Sequence, residues 1–336
     1  MFKLELKKLI GPGMLAATLA ALAVYSEQAA AAGYADHAKG RAFIDEMVQE
    51  HDFNRQDLEY WLGTATRYDA VLEAMSKPAE KTLTWGQYRP IFIKQGRIDS
   101  ALAFAREHEA LLARVEQQYG VPREIIVAII GVESWFGKYK GKHPALQSLA
   151  TLAFDYPKRA KFFRAELREF LLLSREEGFE PLQVKGSYAA AMGMPQFISS
   201  SYRNYAVDGD GDGQRDLFGS IPDIVASVAN YFKRHGWRSG EHVTERVQVQ
   251  GDVSALVKKG SKPKLSAADF NAAGIPVNLT SDERAALIEL EGKQGLEYWV
   301  GYKNFYVITR YNHSPLYAMA VFQLAQSIKE GLASTD

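Results

Sequence analysis

Residues 121–137 read VPREIIVAIIGVESWFG, and this stretch predicts the central helix of the fold. Pro122 suits the first position of a helix. The apolar residues that follow Pro122 recur at spacings that cover most of a helix circumference, which indicates a buried helix. These residues are Ile125, Ile126, Ile129, Ile130 and Val132. The apolar run ends at Glu133, with Trp135 and Phe136 close behind it.

Glu133 has two interpretations at this position. A carboxylate at the end of an apolar helix loses hydration, which disfavours its charged form and raises its pKa toward neutrality. A general acid requires such a raised pKa. Alternatively, the side chain turns into water at the helix end and has no chemical role. The rest of the sequence decides between them.

Composition narrows the class of protein. The chain has 336 residues, of which 47% are hydrophobic and 24% charged, as in ordinary globular proteins of about two domains. Lys plus Arg and Asp plus Glu number 40 each, so the basic excess of a nucleic-acid-binding protein is absent. The 17 Tyr and 5 Trp suit either a sugar-binding cleft or an ordinary core.

The N-terminus predicts export. Residues 1–32 combine early lysines, an apolar run from Met14 and an Ala-rich end, which is the pattern of a signal peptide cleaved after Ala30 or Ala32. The run is short for a membrane span. The chain has no cysteine, so neither disulfides nor a lipid-acceptor thiol are expected. We expect a soluble, non-lipidated periplasmic protein without a stable membrane anchor.

The spacing of apolar residues divides the chain after the predicted signal peptide into helical and strand-containing regions. Residues 33–97 read as a helical region whose aromatic residues are interpreted as packing, and 98–242 as a helical core. Strand-like patterns at 243–249, 286–290 and 298–309 predict a small β-containing subdomain over 243–309. In the remaining residues, 310–336, a polar aromatic turn precedes a final helix with Ser314 as N-cap and Pro315 at its first position.

The segment GSYAAAMGMPQFISSSY, residues 186–202, is rich in small residues that permit close backbone approach. Ser187, Gln196 and Tyr202 offer neutral hydrogen bonds suited to sugar hydroxyl and acetamido groups. By itself the segment is equally compatible with a tightly packed turn between helices. His313, in the later polar turn, is interpreted as a structural hydrogen-bonding residue because no Cys or Ser nucleophile pairs with it.

The segment DGDGDGQRD, residues 208–216, resembles an EF-hand loop. Carboxylates at positions one, three and five, a Gly at six and a carbonyl at seven converge on one calcium ion. The loop departs from the usual form, because Gly219 stands where the bidentate Glu is expected and Arg215 replaces an apolar residue. Asp216 and Asp223 remain to complete the shell. The alternative is a solvated acidic turn without an ion.

Several segments together resemble the membrane-bound lytic murein transglycosylase B family, whose core is similar to goose-type lysozyme. They are IIGVESWFG, ATLAFDYPKRA, GSYAAAMGMPQF, the DGDGDG loop with SVANYFKRHGW, and KNFYVITRYNHSPLYAMAV. They follow the family's order from about residue 85 to the C-terminal helix. The resemblance implies a mainly α (α+β) fold with a goose-lysozyme-like helical core, a calcium loop and a small β-containing subdomain.

The resemblance also implies site residues. Glu133 takes the place of the family's sole catalytic acid and base. One structural calcium and no organic cofactor are implied, with peptidoglycan glycan strands and other cell-wall enzymes as partners. Lys158 stands where members often have Arg, which implies looser contact with stem-peptide carboxylates. The implied substrate residues are Tyr88, Arg159, Ser187, Gln196, Tyr231, Tyr311, Asn312 and Tyr317. The implied calcium ligands are Asp208, Asp210, Asp212, Gln214 and Asp223.

The expected reaction follows from a lone carboxylate. Ordinary glycosidases place two carboxylates across the scissile bond, and no convincing partner for Glu133 is visible in the sequence. One carboxyl suffices if the substrate's own C6 hydroxyl is the nucleophile, which predicts lytic transglycosylation with 1,6-anhydromuramoyl products. The rival hypotheses are a hydrolytic muramidase of the same fold and a noncatalytic cell-wall-binding protein.

Overall fold

The computed structural model describes residues 33–76 and 82–334, so the predicted signal peptide lies outside the described residues. The chain divides into two compact units between Arg67 and Tyr68. The first begins with a 3-10 turn at Tyr34–Asp36, followed by α1 (Ala38–His51) and α2 (Arg55–Thr64). Phe43, Met47, Leu58 and Leu62 are buried, as their helical spacing predicts. The predicted helical region 33–97 extends past this division.

The second unit is mostly helical. Its helices are α3 (Asp69–Ser76), α4 (Trp85–Phe92), α5 (Gln95–Glu107), α6 (Glu109–Tyr119), α7 (Arg123–Ser134), α8 (Ala145–Asp155), α9 (Ala160–Glu177), α10 (Ser199–Tyr205), α11 (Ile221–Arg234), α12 (Ser254–Val257), α13 (Ala267–Ala272), α14 (Lys303–Tyr311) and α15 (Pro315–Ala333). A 3-10 turn at Pro157–Arg159 precedes α9.

The central helix α7 is buried from Ile125 to Val132, which confirms the prediction from its apolar run. The helix starts one residue later than predicted. Pro122 precedes it in an extended conformation, and its carbonyl accepts the amides of Ile125 and Ile126, so Pro122 is the N-cap residue. Helix α15 packs against α7 and begins with Ser314 as N-cap and Pro315 at the first position, as predicted.

The strands form two antiparallel sheets. A short pair joins β1 (His143–Pro144) to β2 (Lys185–Gly186). The other sheet has the order β3-β5-β4, with β3 at Thr244–Val247, β4 at Ala286–Gly292 and β5 at Gly295–Gly301. Residues from this region build their own small core, which includes Val253, Leu265, Phe270, Ile275, Ala285, Leu287 and Val300.

One predicted strand is wrong in part. The pattern at 298–309 continues as β5 only to Gly301, and residues 303–311 form the helix α14. Phe305 and Ile308 are both fully buried at a spacing of three residues, so they share a helix face, whereas in a strand they would point to opposite sides. Over so short a run, strand alternation and helical periodicity fit the same apolar residues.

Gly131 sets the approach of α15 to α7. A Cβ atom at this position would lie 2.9 Å from Cζ of Phe136 and 3.3 Å from Cδ2 of Leu324. In an ordinary helix, alanine is more favourable than glycine by about 1 kcal/mol. At position 131 the close contact of a new Cβ with Phe136 and Leu324 opposes this preference.

We therefore expect Gly131→Ala to lower the melting temperature, because overpacking a core costs about 1–3 kcal/mol. The matched control is Gly63→Ala in α2, where a new Cβ would have only an ordinary contact of 3.8 Å with Ala35. Differential scanning calorimetry should show an unchanged or raised melting temperature for the control. Equal or higher stability of Gly131→Ala would contradict the packing described.

Candidate active site

Glu133 is the penultimate residue of α7 and is half-buried. The helix ends abruptly after it, because Trp135 and Phe136 have φ of 50° and 56°, and Gly137 follows with 83°. Bulky residues rarely adopt this left-handed conformation, so the surrounding structure has to hold it in place. The carboxylate therefore stands where the backbone turns sharply away from the buried helix.

Contacts to the indole of Trp135 hold this turn. Its Nε1 donates to Oγ of Ser100 over 3.0 Å. The guanidinium carbon of Arg97 and Nζ of Lys94 each lie 4.6 Å from the ring centroid, which is a cation–π arrangement. Arg97 is only 6% exposed, and burial lowers its pKa from the usual value. Sequence reasoning missed Arg97, since nothing in its local pattern distinguishes it from a surface residue of α5.

Tyr317 hydrogen-bonds the candidate catalytic group directly. Its hydroxyl donates to Oε1 of Glu133 over 2.5 Å. Tyr317 is 3% exposed and lies in the first turn of α15, so the start of this helix places the phenol at the end of α7. Burial raises the pKa of Tyr317 well above the usual value, and the negative charge of Glu133 adds to the effect. The phenol therefore stays protonated and donates.

Two more tyrosines continue from this pair. The rings of Tyr317 and Tyr311 stack with centroids 6.5 Å apart, and Tyr231 lies 4.7 Å from Tyr311. The Tyr311 hydroxyl donates to the Pro195 carbonyl over 2.7 Å, and that of Tyr231 to the Arg310 carbonyl over 2.6 Å. Desolvation raises the pKa of both phenols, and the charge of Glu133 raises it further. The three rings form one aromatic cluster beside the carboxylate.

A cavity of about 280 Å³ opens on this cluster. Four of the predicted substrate residues line it, namely Arg159, Gln196, Tyr231 and Tyr311. The guanidinium of Arg159 lies 4.1 Å from the ring centroid of Phe162, which is 36% exposed. Sequence reasoning missed several lining residues: Phe162, Phe197, Ser201 and Arg310. His313 also lines the cavity, and its Nδ1 lies 3.0 Å from the Thr309 carbonyl, as expected for a structural hydrogen-bonding residue.

The small-residue segment forms part of the cavity wall. Gln196 has φ of 53°, and its Nε2 donates to the carbonyls of Gly193, over 2.8 Å, and Lys140, over 3.2 Å. These bonds leave the amide oxygen available to a ligand. Ser187 Oγ accepts the Ala191 amide over 3.0 Å, so its hydroxyl hydrogen can still donate. The segment is thus a tight turn that also presents polar atoms.

Three further residues predicted to contact the substrate, Tyr88, Asn312 and Tyr202, do not line this cavity. Tyr88 is 1% exposed and packs against Phe92 with ring centroids 5.0 Å apart, close enough to Tyr317 to affect its titration. Asn312 is half-buried between α14 and α15. Tyr202 was predicted to offer a hydrogen bond to sugars, and this is wrong. It is fully buried and its hydroxyl donates to the Arg215 carbonyl, inside the fold.

The predicted calcium loop brings three carboxylates together. Oxygens of Asp208, Asp210 and Asp212 lie within 4.8 Å of one another. The amides of Gly213 and Gly211 donate to the Asp208 carboxylate over 2.8 and 2.6 Å, and the bond from Gly213 is the main reason why the pKa of Asp208 is lowered. Hard oxygen ligands at this density fit a calcium ion. Exposed acidic loops also occur without one.

Asp223 has a different position in this loop. It is 1% exposed, and its two oxygens accept the amides of Gly209 and Asp216, each over 2.7 Å. Burial raises the pKa of this carboxyl. Asp223 therefore joins the two ends of the loop and is not part of the close group of three. Gln214 meets that group through its backbone amide, which donates to Oδ1 of Asp212 over 2.8 Å.

Comparison with known proteins identifies the family. The model of the transglycosylase SLT domain matches residues 35–326. The chain belongs to this family. It is 44% identical over 306 residues to membrane-bound lytic murein transglycosylase B of Escherichia coli, covering 88% of this chain and 84% of that protein.

Solved structures agree with this assignment to the transglycosylase SLT family. Soluble lytic transglycosylase SltB1 from Pseudomonas aeruginosa is 46% identical with a TM-score of 0.83, over 88% of this chain and 99% of that chain. Escherichia coli lytic transglycosylase Slt35, solved in complex with calcium, is 43% identical with a TM-score of 0.82, over 91% of this chain and 96% of that chain. The predicted resemblance and the mainly helical fold are confirmed. Among the described residues, no helix has the length and apolar character needed to cross a membrane.

We expect Tyr317→Phe to lower activity on murein about tenfold, because a hydrogen bond to a charged group contributes about 1.5–3 kcal/mol. The donated bond stabilises the carboxylate of Glu133. Because a general acid works in its protonated form, loss of this bond should move the alkaline limb of the pH–rate profile to higher pH. Tyr306→Phe, on the neighbouring helix α14, is the matched control. An unchanged profile for Tyr317→Phe would show that the bond does not act on the titrating group.

Proposed function

We propose that this protein is a lytic transglycosylase that cleaves the β-1,4 bond between N-acetylmuramic acid and N-acetylglucosamine in peptidoglycan and leaves 1,6-anhydromuramoyl ends. The observation that carries the proposal is the half-buried carboxyl of Glu133, bonded to Tyr317 beside an aromatic cluster whose other members, Tyr311 and Tyr231, line a cavity. The relatives of this family, named lytic transglycosylases, support the same reaction.

Glu133 acts first as the acid. In its protonated form it donates to the glycosidic oxygen, and the bond to C1 of the muramoyl residue breaks with oxocarbenium character at that carbon. Ordinary glycosidases divide the proton transfer and the nucleophilic or basic role between two carboxylates, whereas this mechanism assigns both proton transfers to Glu133. The substrate's acetamido group stabilises the positive charge at C1.

Glu133 then acts as the base. As carboxylate it accepts the proton of the muramoyl C6 hydroxyl while the oxygen attacks C1 and closes the anhydro ring, so the enzyme returns to its protonated starting form. The Tyr317 hydroxyl stabilises the carboxylate between the two steps. No water is consumed.

Substrate binding falls to the groups around the cavity. We assign the Gln196 amide oxygen and the Ser187 hydroxyl to orienting hydroxyl and acetamido groups. The aromatic faces of Phe162 and Tyr231 contact the apolar faces of the sugars, and the guanidinium of Arg159 attracts a lactyl or stem-peptide carboxylate. Tyr88, beneath Tyr317, and Asn312, at the helix junction, complete the predicted set.

We also propose one structural calcium ion in the loop 208–223, held by Asp208, Asp210 and Asp212, with the Gln214 carbonyl and Asp223 as further ligands. The convergence of three carboxylates supports it. The calcium complex of the related Slt35 gives independent support. The ion would fix the loop that packs behind the Gln196 segment and would take no part in the chemistry.

The proposed location is the periplasm, with residues 1–32 as a signal peptide. The absence of cysteine from the sequence argues against lipid attachment through a thiol. Within the mature chain we propose the boundaries 33–97, 98–242, 243–309 and 310–336 for the N-terminal helical region, the catalytic core, the β-containing subdomain and the C-terminal turn and helix. Other cell-wall enzymes are proposed as further partners.

We expect Glu133→Gln to reduce the release of products from purified murein by about a hundredfold or more, because it removes the proton donor and acceptor. Its melting temperature and its binding to murein should stay close to those of the parent. Glu124→Gln, at the other end of α7, is the matched control. Mass spectrometry of the parent's products should show 1,6-anhydro ends. Reducing ends would indicate a hydrolytic muramidase. Full activity of Glu133→Gln would indicate that another residue is the acid and base, and no product release by the parent would indicate a noncatalytic wall-binding protein.

We expect chelation to lower the melting temperature more than it lowers activity measured at low temperature. An ion at 100 times its Kd contributes about 2.7 kcal/mol of stability. Asp210→Asn should make the melting temperature insensitive to calcium, whereas Asp282→Asn, an exposed residue outside the loop, should leave the response unchanged. Loss of turnover without any change in melting would argue against a structural ion.

A further inference from the structure

A second groove lies outside the candidate active site. It has a volume of about 640 Å³ and is bounded by α4, the tip of the β4–β5 hairpin and the C-terminal half of α15. Its lining combines aromatic, amide and cationic side chains, among them Trp299, Gln294, Gln326, Arg89, Arg246 and Lys293. The groove is thus larger than the cavity near Glu133, and the reaction proposed above uses none of these residues.

The groove is built from secondary structure whose parts are fixed to one another. A Cβ atom at Gly86 would lie 2.9 Å from the backbone nitrogen of Lys293, so α4 and the hairpin turn meet backbone to backbone. Nε of Arg89 donates to Oε1 of Gln323 over 2.6 Å and joins α4 to α15. A ligand therefore meets a largely preformed surface, which lowers the entropic cost of binding.

Several polar groups in the groove have no partner within the described part of the chain. Lys293, Gln294 and Gln326 make no side-chain hydrogen bond or ion pair there. Each amide offers donors and an acceptor. Half-buried Trp299, held by a bond from its Nε1 to Glu297, and Leu296, 55% exposed, supply apolar surface. An aromatic surface surrounded by neutral amides matches a sugar ring, which has apolar C–H faces and hydroxyl or acetamido groups at its edge.

The charges favour a weakly anionic ligand. Three cations, Arg89, Arg246 and Lys293, face two carboxylates, Glu297 and Glu330, which leaves a formal charge of +1. The carboxylate of Glu297 is already engaged with Trp299. A glycan of alternating N-acetylglucosamine and N-acetylmuramic acid carries one lactyl carboxylate per disaccharide once its peptides are removed, which is a low density of negative charge.

Helices α4 and α15 each carry residues of the groove and residues close to the aromatic cluster beside Glu133. Helix α4 carries Tyr88, which lies close enough to Tyr317 to affect its pKa, and Arg89 in the groove. Helix α15 carries Tyr317 at its start and Gln326 nine residues later. Nine residues of helix span about 14 Å. A polymer of several sugars is long enough to reach from one site to the other, whereas a single disaccharide is not.

We propose that this groove is a second, noncatalytic binding site for the glycan strand of murein. It rests on the proposed function, because the polymer it binds is the polymer that Glu133 cleaves. Binding there holds a long strand on the enzyme while its scissile bond is positioned, which adds affinity for polymers and none for short fragments.

The test measures binding of peptide-free glycan strands, longer than about ten sugars, to protein carrying Glu133→Gln so that the ligand stays intact. We expect the added pair Lys293→Ala and Gln326→Ala to weaken binding about tenfold, since each removes one or two hydrogen bonds. Both residues lack partners, so folding should be unaffected. The matched control pair is Gln248→Ala and Lys258→Ala, exposed residues of the β-containing region outside the groove.

A second measurement uses the chain with Glu133 intact. The Lys293→Ala and Gln326→Ala pair should raise KM for long strands and leave kcat/KM for a tetrasaccharide unchanged. Unaltered binding of long strands would overturn the proposal. So would loss of binding to isolated stem peptides with glycan binding retained, because the ligand would then be a peptide. Failure of the proposed function is separate, since it would appear as reducing ends in the parent's products whatever the groove binds.

Discussion

The hydrogen bond between Tyr317 and Glu133 joins residues 184 positions apart in the sequence, and the arrangement of the site depends on it. It forms only if the end of α7 meets the start of α15. Gly131 allows that approach, because any side chain there would displace Phe136 or Leu324. The packing of two buried helices thereby fixes the position of one carboxyl to within hydrogen-bonding distance. The proposed reaction requires such placement, because a single carboxyl has to reach both the glycosidic oxygen and the attacking hydroxyl.

Backbone carbonyls satisfy the polar groups near this bond. The phenols of Tyr311 and Tyr231 donate to the carbonyls of Pro195 and Arg310, and the amide of Gln196 donates to two further carbonyls. A buried donor without an acceptor would cost about 1–3 kcal/mol. The same bonds determine which atoms remain for the proposed sugar ligand, namely the Gln196 oxygen and the faces of the rings.

The sequence predicts features that depend on neighbours along the chain, and it fails where contacts join distant segments. The buried run of α7, the Ser314–Pro315 start of α15 and the acidic loop have local signals that the structure bears out as elements. Residues 303–309 were predicted as strand because a short apolar run fits two periodicities. Arg97 carries no local signal of its contact with Trp135, and the groove combines four separate segments, so neither was predictable.

The acidic loop departs from the EF-hand pattern at Arg215, and the contacts of this side chain give the physical reason. Where an apolar residue is usual, this side chain instead pairs with Glu177 of α9, whose carboxylate also accepts the Arg215 amide over 3.1 Å. The next residue but one, Leu217, accepts the amide of Met194 over 2.8 Å, and Gly193 lies so close to the Leu217 carbonyl that a Cβ would clash at 2.4 Å. The loop therefore packs directly behind the turn that carries Gln196. A change in the loop would reach the cavity wall through two residues.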